Sequence, residues 1–204
     1  MVMPATKAWK RTEAEVAKLF HGKRTPLSGS NSGHGTTGDV IHIPSWLYIE
    51  VKRDKKYNQF FEDHFPWLRR GITLVVDWHG VLIYVFRLDR FMQSHAATIT
   101  NDKRVKVRDN SAPFVLYDKT WQSALKEQRD TAVQVHRIHG KHGLYCLVNE
   151  HSLRRVQKWV SIWGKPVMKA KRDRIKKVEE SEIRSKLIPE NPRDGDDEVG
   201  GYFL

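Results

Sequence analysis

The sequence predicts an α/β fold in which a central mixed β-sheet is flanked by helices and followed by a C-terminal α/β extension. Three observations carry this prediction. An amphipathic helical pattern opens the chain, four short β-type runs follow it before residue 90, and helix and strand patterns alternate again after residue 118. The 204 residues suffice for one domain with a sizeable core plus appendages.

The composition restricts the class of partner and the compartment. Lys and Arg number 36 against 24 Asp and Glu, for a formal charge of +12, which favours a polyanionic partner because each neutralised phosphate releases counterions. The single cysteine, Cys146, has no internal disulfide partner and suits a reducing cytoplasm. No apolar run reaches membrane-spanning length, so we expect a cytoplasmic protein without a membrane segment.

The first predicted helix covers residues 7–21. Its apolar side chains form one stripe: Trp9, Val16, Ala17 and Phe20. Glu13 lies on this inward-facing stripe, whereas Glu15 lies off its centre. A carboxylate on an apolar face is costly to bury unless it is paired or binds a metal, so Glu13 is the candidate functional acid. The alternative is a partly exposed Glu13 at the edge of the stripe.

The second and third elements are predicted as an antiparallel hairpin of residues 39–43 and 47–52, joined by a turn at Pro44-Ser45-Trp46. Alternation in the second strand places Glu50 and Lys52 on the same face. If Pro44 pairs with Leu47, Asp39 falls opposite Lys52. Two acids and a lysine on one surface suit a hard cation such as Mg²⁺, although an ordinary cross-strand ion pair gives the same pattern.

The remaining elements follow from simpler patterns. Residues 57–68 are predicted as a helix interrupted near Pro66, and two apolar β runs, 71–77 and 81–88, flank a His79-Gly80 hairpin signal. Farther along, we expect a basic loop, a helix, two strands and a final amphipathic helix, at residues 98–110, 119–131, 133–138, 144–148 and 150–163. His136, His139 and His142 surround the turn between those two strands, where a basic turn is favoured over a zinc site.

Four short stretches carry a resemblance to known proteins. Asp39 followed by Glu50-Val51-Lys52 resembles the D-x(n)-E-x-K core of the PD-(D/E)XK nuclease superfamily. Residues 9–18, the run Arg24-Thr25-Pro26-Leu27-Ser28-Gly29 and Gly38-Asp39-Val40 are similar to the N-terminal third of archaeal and phage-type Holliday-junction resolvases. The close resemblance covers roughly residues 7–54 and extends weakly to about 91. The family often has Glu-Arg on its first helix where this chain has Glu13-Ala14, which keeps Glu15 as the alternative acid.

The resemblance implies a restriction-endonuclease-like core in residues 1–91 and a metal-dependent DNA endonuclease, most specifically a resolvase of four-way junctions. The implied catalytic residues are Glu13, Asp39, Glu50 and Lys52, with Lys52 acting on the attacking water. The implied metal is Mg²⁺, replaceable by Mn²⁺, held by Asp39, Glu50, the Val51 carbonyl and Glu13, the last directly or through water. Expected DNA contacts are Arg24, Ser28, His34, Arg53, Lys55, Lys56 and Gln59.

Residues 92–188 are expected to complete the core, or to bind DNA or a second subunit, and 189–204 to form a disordered acidic tail. Symmetric cutting needs two sites, which predicts a homodimer. Positive charge dispersed along the chain suits backbone contacts to the several arms of branched duplex DNA. Alternatives are a homing, restriction-type or nicking endonuclease of the same fold, and a non-catalytic DNA-binding protein. The expected source is a bacterial or archaeal cell, where the gene belongs either to the cell or to a phage.

Overall fold

The structure is a computed structural model that describes residues 5–26, 36–54, 59–93, 99, 101–138 and 140–162. In chain order its elements are α1 (Ala5–Leu19), β1 (Lys23–Arg24), β2 (Val40–Ile41), β3 (Leu47–Asp54), α2 (Gln59–Arg70), β4 (Thr73–Trp78), β5 (Val81–Arg87), α3 (Leu88–Gln93), β6 (Asp102–Val105), α4 (Ala112–Lys126), β7 (Thr131–Ile138), β8 (Tyr145–Asn149) and α5 (150–162). The basic run at 165–177 and the tail at 189–204 lie outside the described residues.

A six-stranded sheet in the order β3-β7-β8-β5-β4-β6 forms the centre of the protein. The β3/β7 and β4/β6 pairs are parallel and the three inner pairs are antiparallel, so the sheet is mixed. Helices cover both faces, which confirms the α/β prediction. Strands β7 and β8 come from beyond residue 92 and lie between β3 and β5, within one compact unit spanning residues 1–165.

Strand alternation gives the sheet two different apolar faces. On the first face, Leu47, Ile49 and Val51 of β3 pack with α1, α3 and α5, where Phe20 stacks on Trp159 at 5.8 Å. On the second face, α2 and α4 supply Phe60, Phe61, Phe114 and Tyr117 to a separate cluster. Glu50 and Lys52 alternate with the first-face residues, so they point to the side of α2 and α4.

The predicted hairpin of residues 39–43 and 47–52 is wrong. Strand β2 contains only Val40 and Ile41 and pairs antiparallel with β1, while β3 forms the edge of the main sheet and pairs in parallel with β7. The turn itself exists, because the Leu47 amide donates to the Pro44 carbonyl at 2.9 Å. His42, at φ 60°, turns the chain out of the extended conformation before the strand returns.

Other boundaries differ for local reasons. Residues 102–105, expected in a loop, form the short and exposed edge strand β6, whose charged sequence carries no apolar alternation. Helix α4 begins seven residues before its predicted start, with Pro113 in its first turn, where a missing N–H costs nothing. Helix α2 continues through Pro66 to Arg70. The hairpin at His79-Gly80 is confirmed, with both residues at positive φ.

Among the described helices, none is long and apolar enough to cross a membrane.

The turn between α1 and β1 depends on a glycine. A Cβ added to Gly22 would lie 2.6 Å from the Ile41 carbonyl oxygen and 2.7 Å from Cγ2 of Ile43. We expect Gly22→Ala to lower the unfolding free energy by about 1–3 kcal/mol, because β2 must shift to relieve the overlap. Chemical denaturation measures this, with Gln122→Ala on the exposed side of α4 as control. Equal stability of the two variants would contradict the close approach.

Candidate active site at the edge of the sheet

Asp39 is attached to the outer edge of β3 by two hydrogen bonds. Its amide donates to the Ile49 carbonyl at 2.9 Å, and the Val51 amide donates to its carboxylate Oδ2 at 2.7 Å. These bonds flank Glu50, so Asp39 faces Glu50 and not Lys52, two residues away from the predicted register. Asp39 is 4% exposed. The hydrogen bond from the Val51 amide to its carboxylate is charge-assisted and therefore stronger than one between neutral groups.

The segment that carries Asp39 is held from its other side by Thr25, the residue that follows β1. The Thr25 amide donates to the Asp39 carbonyl at 2.9 Å, and the Thr25 hydroxyl donates to the Gly38 carbonyl at 2.8 Å. Gly38 lies so close to β3 that an added Cβ would be 3.1 Å from the Ile49 carbonyl oxygen. The backbone on both sides of Asp39 is therefore fixed before any ligand binds.

Glu50 and Lys52 form an ion pair on the second face of the sheet, through Oε1 and Nζ. Their side chains are 20% and 33% exposed. Burial raises the pKa of Glu50, and the negative charge of Asp39 raises it further, while Lys52 acts in the opposite direction. The charges of Asp39 and Glu50 repel each other, and a bound cation would offset that repulsion.

Tyr48 supports the other oxygen of Glu50. Its hydroxyl donates to Glu50 Oε2 at 3.4 Å, and burial raises the pKa of Tyr48 to about 12. The hydroxyl therefore stays protonated across the physiological range and remains a hydrogen-bond donor.

A cleft of about 250 Å³ lies between β3 and α4. Its lining residues are Thr37, Tyr48, Glu50, Lys52, Leu116, Lys119, Thr120 and Ser123. Exposed Lys119 adds a second ammonium group across the cleft from Lys52. The cleft thus combines a carboxylate, two cations and several hydroxyls, a set that suits an anionic ester together with a hard cation.

Buried polar side chains of β7 lie beside the two charged residues. Gln134 is the ladder partner of Glu50, and His136 that of Lys52. Gln134 accepts from the Thr120 hydroxyl at 2.8 Å and contacts His136 Nε2 at 2.5 Å, so it connects α4 to the sheet. His136 is fully buried with its ring 5.1 Å from that of Phe61, and His139 lies outside the described residues.

Glu13 faces inward as predicted and is 1% exposed, whereas Glu15 is exposed and pairs with Arg137. Arg24 lies 3.4 Å from Glu13 and also donates to the Thr25 carbonyl at 3.2 Å. Helix α1 packs on the first face, opposite to Glu50 and Lys52. Within the described part of the chain, no three His, Cys, Asp or Glu side chains are grouped closely enough to hold a metal.

The predicted DNA contacts are spread over different surfaces. Arg53 is half-buried and is the ladder partner of Arg137. Gln59 is exposed, donates to Asp63 at 2.6 Å and lines a separate cleft of about 600 Å³ beside Lys106 and Arg108. Ser28, His34, Lys55 and Lys56 lie outside the described residues.

Comparisons of the chain with family models, with curated proteins and with solved structures find no match. The sequence did not identify Thr37, Tyr48 and Lys119 as residues of the cleft. Of the three, only Tyr48 had a signal, because strand alternation places it on the same face as Glu50.

The raised pKa of Glu50 predicts a stabilising substitution. A carboxyl with a raised pKa in the folded state binds its proton more tightly there, so stability is lost as pH rises through that pKa. We expect Glu50→Gln to raise the melting temperature near pH 7 by about 2–4 °C in metal-free buffer. The gain should disappear below about pH 4, where Glu50 is protonated in both states.

Thermal unfolding over a pH series measures this effect. Glu62→Gln is the control, because Glu62 also forms an ion pair, with Lys141 at 3.3 Å, but does not line the cleft. A lower melting temperature for Glu50→Gln at pH 7 would show that the ion pair with Lys52 outweighs burial and the repulsion from Asp39.

Proposed function

We propose that this protein is a metal-dependent endonuclease that hydrolyses phosphodiester bonds in DNA. The observation that carries the proposal is the attachment of Asp39 to β3 on either side of Glu50, with Lys52 beside it. Residues 11 positions apart in the sequence thereby form one group of two carboxylates and an ammonium. This is the set that the resemblance to PD-(D/E)XK nucleases requires.

The donor set fits Mg²⁺, with Mn²⁺ as a substitute. Mg²⁺ is commonly held by one or two carboxylates plus waters and substrate phosphate oxygens, and Asp39 with Glu50 supplies two. Burial and the charge of Asp39 raise the pKa of Glu50, and Lys52 offsets them only in part, so a cation would add further compensation. When bound, the ion supplies Lewis-acid polarisation of the phosphate and charge neutralisation.

The residues of the chain divide the remaining work. Lys52, held by Glu50, orients the attacking water and stabilises negative charge that develops on the phosphate. Lys119 across the cleft binds a neighbouring phosphate oxygen. Glu13 acts from the first face, either through water or through its ion pair with Arg24. The next residue, Thr25, donates its amide to the Asp39 carbonyl.

We further propose that the substrate is branched DNA, as expected for a resolvase of Holliday junctions. The support is charge: the chain carries +12, and exposed cations occupy β6 and the loop after it at Lys103, Arg104, Lys106 and Arg108. Dispersed cations bind phosphates without reading bases, which suits several duplex arms. A two-fold homodimer would supply the two active sites needed for symmetric cuts.

The catalytic proposal predicts that chemistry and binding separate. Asp39→Asn should abolish cleavage, and Lys52→Ala should slow single-turnover cleavage by roughly 100-fold or more. Affinity for DNA should change little, because neither substitution removes a dispersed phosphate contact. Glu15→Gln serves as control, since that exposed acid lies away from the cleft. Normal cleavage by Lys52→Ala, or equal loss of affinity and turnover in both variants, would contradict the assigned roles.

The substrate proposal predicts a preference that depends on salt. A four-way junction should bind more tightly than linear duplex of matched sequence by roughly 100-fold, because contacts to several arms add. Affinity should fall steeply as salt rises. Competition binding and mapping of paired nicks about the branch point measure this. Equal competition by linear duplex at every salt concentration would remove the resolvase assignment, and absence of cleavage of every DNA form would favour a non-catalytic DNA-binding protein.

A further inference from the structure

Glu127, just after the end of α4, holds the segment that leads into Asp39. Its Oε2 accepts from the Thr36 hydroxyl at 2.6 Å, and its Oε1 accepts from both the amide and the hydroxyl of Thr37 at 2.6 Å. The Thr36 hydroxyl also accepts from the Gly38 amide at 3.0 Å. One carboxylate therefore organises the three residues that precede Asp39.

The same carboxylate is connected to the start of β3. Arg129 pairs with Glu127 through Nε at 3.2 Å and donates to the Leu47 carbonyl through Nη1. Burial acts to raise the pKa of Glu127, but the hydrogen bonds from Thr36 and Thr37 and the charge of Arg129 outweigh it, so the pKa is lowered. Glu127 thus remains ionised and links both backbone segments that meet at Asp39 and Glu50.

A second path runs from Glu127 to Glu50 through hydroxyl groups. The Thr37 hydroxyl, which donates to Glu127, lies 3.1 Å from the Tyr48 hydroxyl, and Tyr48 donates to Glu50 Oε2 at 3.4 Å. Each hydroxyl has one proton, so with the Thr37 proton directed to Glu127 the single Tyr48 proton is shared between Thr37 Oγ1 and Glu50 Oε2. Tyr48 is 2% exposed and cannot move away without breaking its packing against Ala124 and Ala132.

We propose that Glu127 is a positioning residue that sets the separation of the Asp39 and Glu50 carboxylates, acting through Thr36 and Thr37 on Asp39 and through Thr37 and Tyr48 on Glu50. The inference rests on the proposed function, because it concerns the cation and phosphate held by those carboxylates. Glu127 touches neither, and it lies 77 positions after Glu50 in the sequence. Its effect is to fix the donor pair in one geometry before a cation binds.

The test compares Glu127→Gln, Thr37→Val and Tyr48→Phe in the full chain. For Glu127→Gln and Thr37→Val we expect a rise in the half-saturating Mn²⁺ concentration for single-turnover cleavage of about 10- to 100-fold, as for other residues that orient ligands. Native-state hydrogen exchange should accelerate at the amides of Asp39 and Val51, because these report the attachment of Asp39 to β3. Tyr48→Phe should raise the Mn²⁺ requirement without accelerating that exchange.

Matched controls separate positioning from general stability. Glu62→Gln removes another partly buried carboxylate, and Tyr145→Phe removes another tyrosine hydroxyl, which donates to the His142 carbonyl at 2.8 Å. Both should keep the wild-type Mn²⁺ response and the wild-type exchange at Asp39 and Val51. Amides in the centre of β8 should exchange at the wild-type rate in all variants.

The outcomes distinguish the inference from the function beneath it. The inference alone is overturned if the wild-type protein cleaves DNA while Glu127→Gln has the same Mn²⁺ response and the same hydrogen exchange as the wild type. Accelerated exchange throughout β8 in Glu127→Gln also overturns it, because that result describes a structural residue. A wild-type protein that cleaves no DNA form with Mg²⁺ or Mn²⁺ overturns the proposed function, and the inference with it.

Discussion

The attachment of Asp39 to the outer edge of β3 is the constraint on which the site depends. An edge strand exposes amides and carbonyls that need partners, and Asp39 satisfies the Val51 amide with its carboxylate and the Ile49 carbonyl with its own amide. Backbone hydrogen bonding therefore determines where one of the two acids lies. The close approach at Gly22 and the bonds from Thr25 are the means by which the rest of the N-terminal segment keeps that position.

Placing Glu50 in a largely buried position beside Asp39 costs electrostatic free energy. Glu50 is largely buried beside a second carboxylate, and Lys52 compensates only in part, because the pKa of Glu50 remains raised. Proteins commonly accept such local instability where a ligand later removes it. Polar contacts surround the charged pair: Tyr48 donates to Glu50, and Thr120 of α4 donates to Gln134 of β7.

Local patterns in the sequence predicted much of this fold. Alternation in residues 47–52 placed Glu50 and Lys52 on one face, helical spacing placed Glu13 inward, and His79-Gly80 marked a hairpin, because each depends on neighbours within a few positions. The register of Asp39 was predicted two residues off, since it is set by pairing with β1 and by side-chain hydrogen bonds. The parallel partner of β3 lies about 80 residues away, and strand spacing alone does not identify it.

Because Asp39 occupies hydrogen-bonding groups at the outer edge of β3, that edge also restricts how two copies of this chain can associate. Joining two sheets by strand addition at β3 would require breaking the bonds of Asp39, which would dismantle the group of charges at the same time. The opposite edge, β6, is short and carries Asp102, Lys103 and Arg104, a composition that disfavours such pairing. Neither edge of the described sheet therefore favours strand addition, and a second copy of this chain would meet it through another surface.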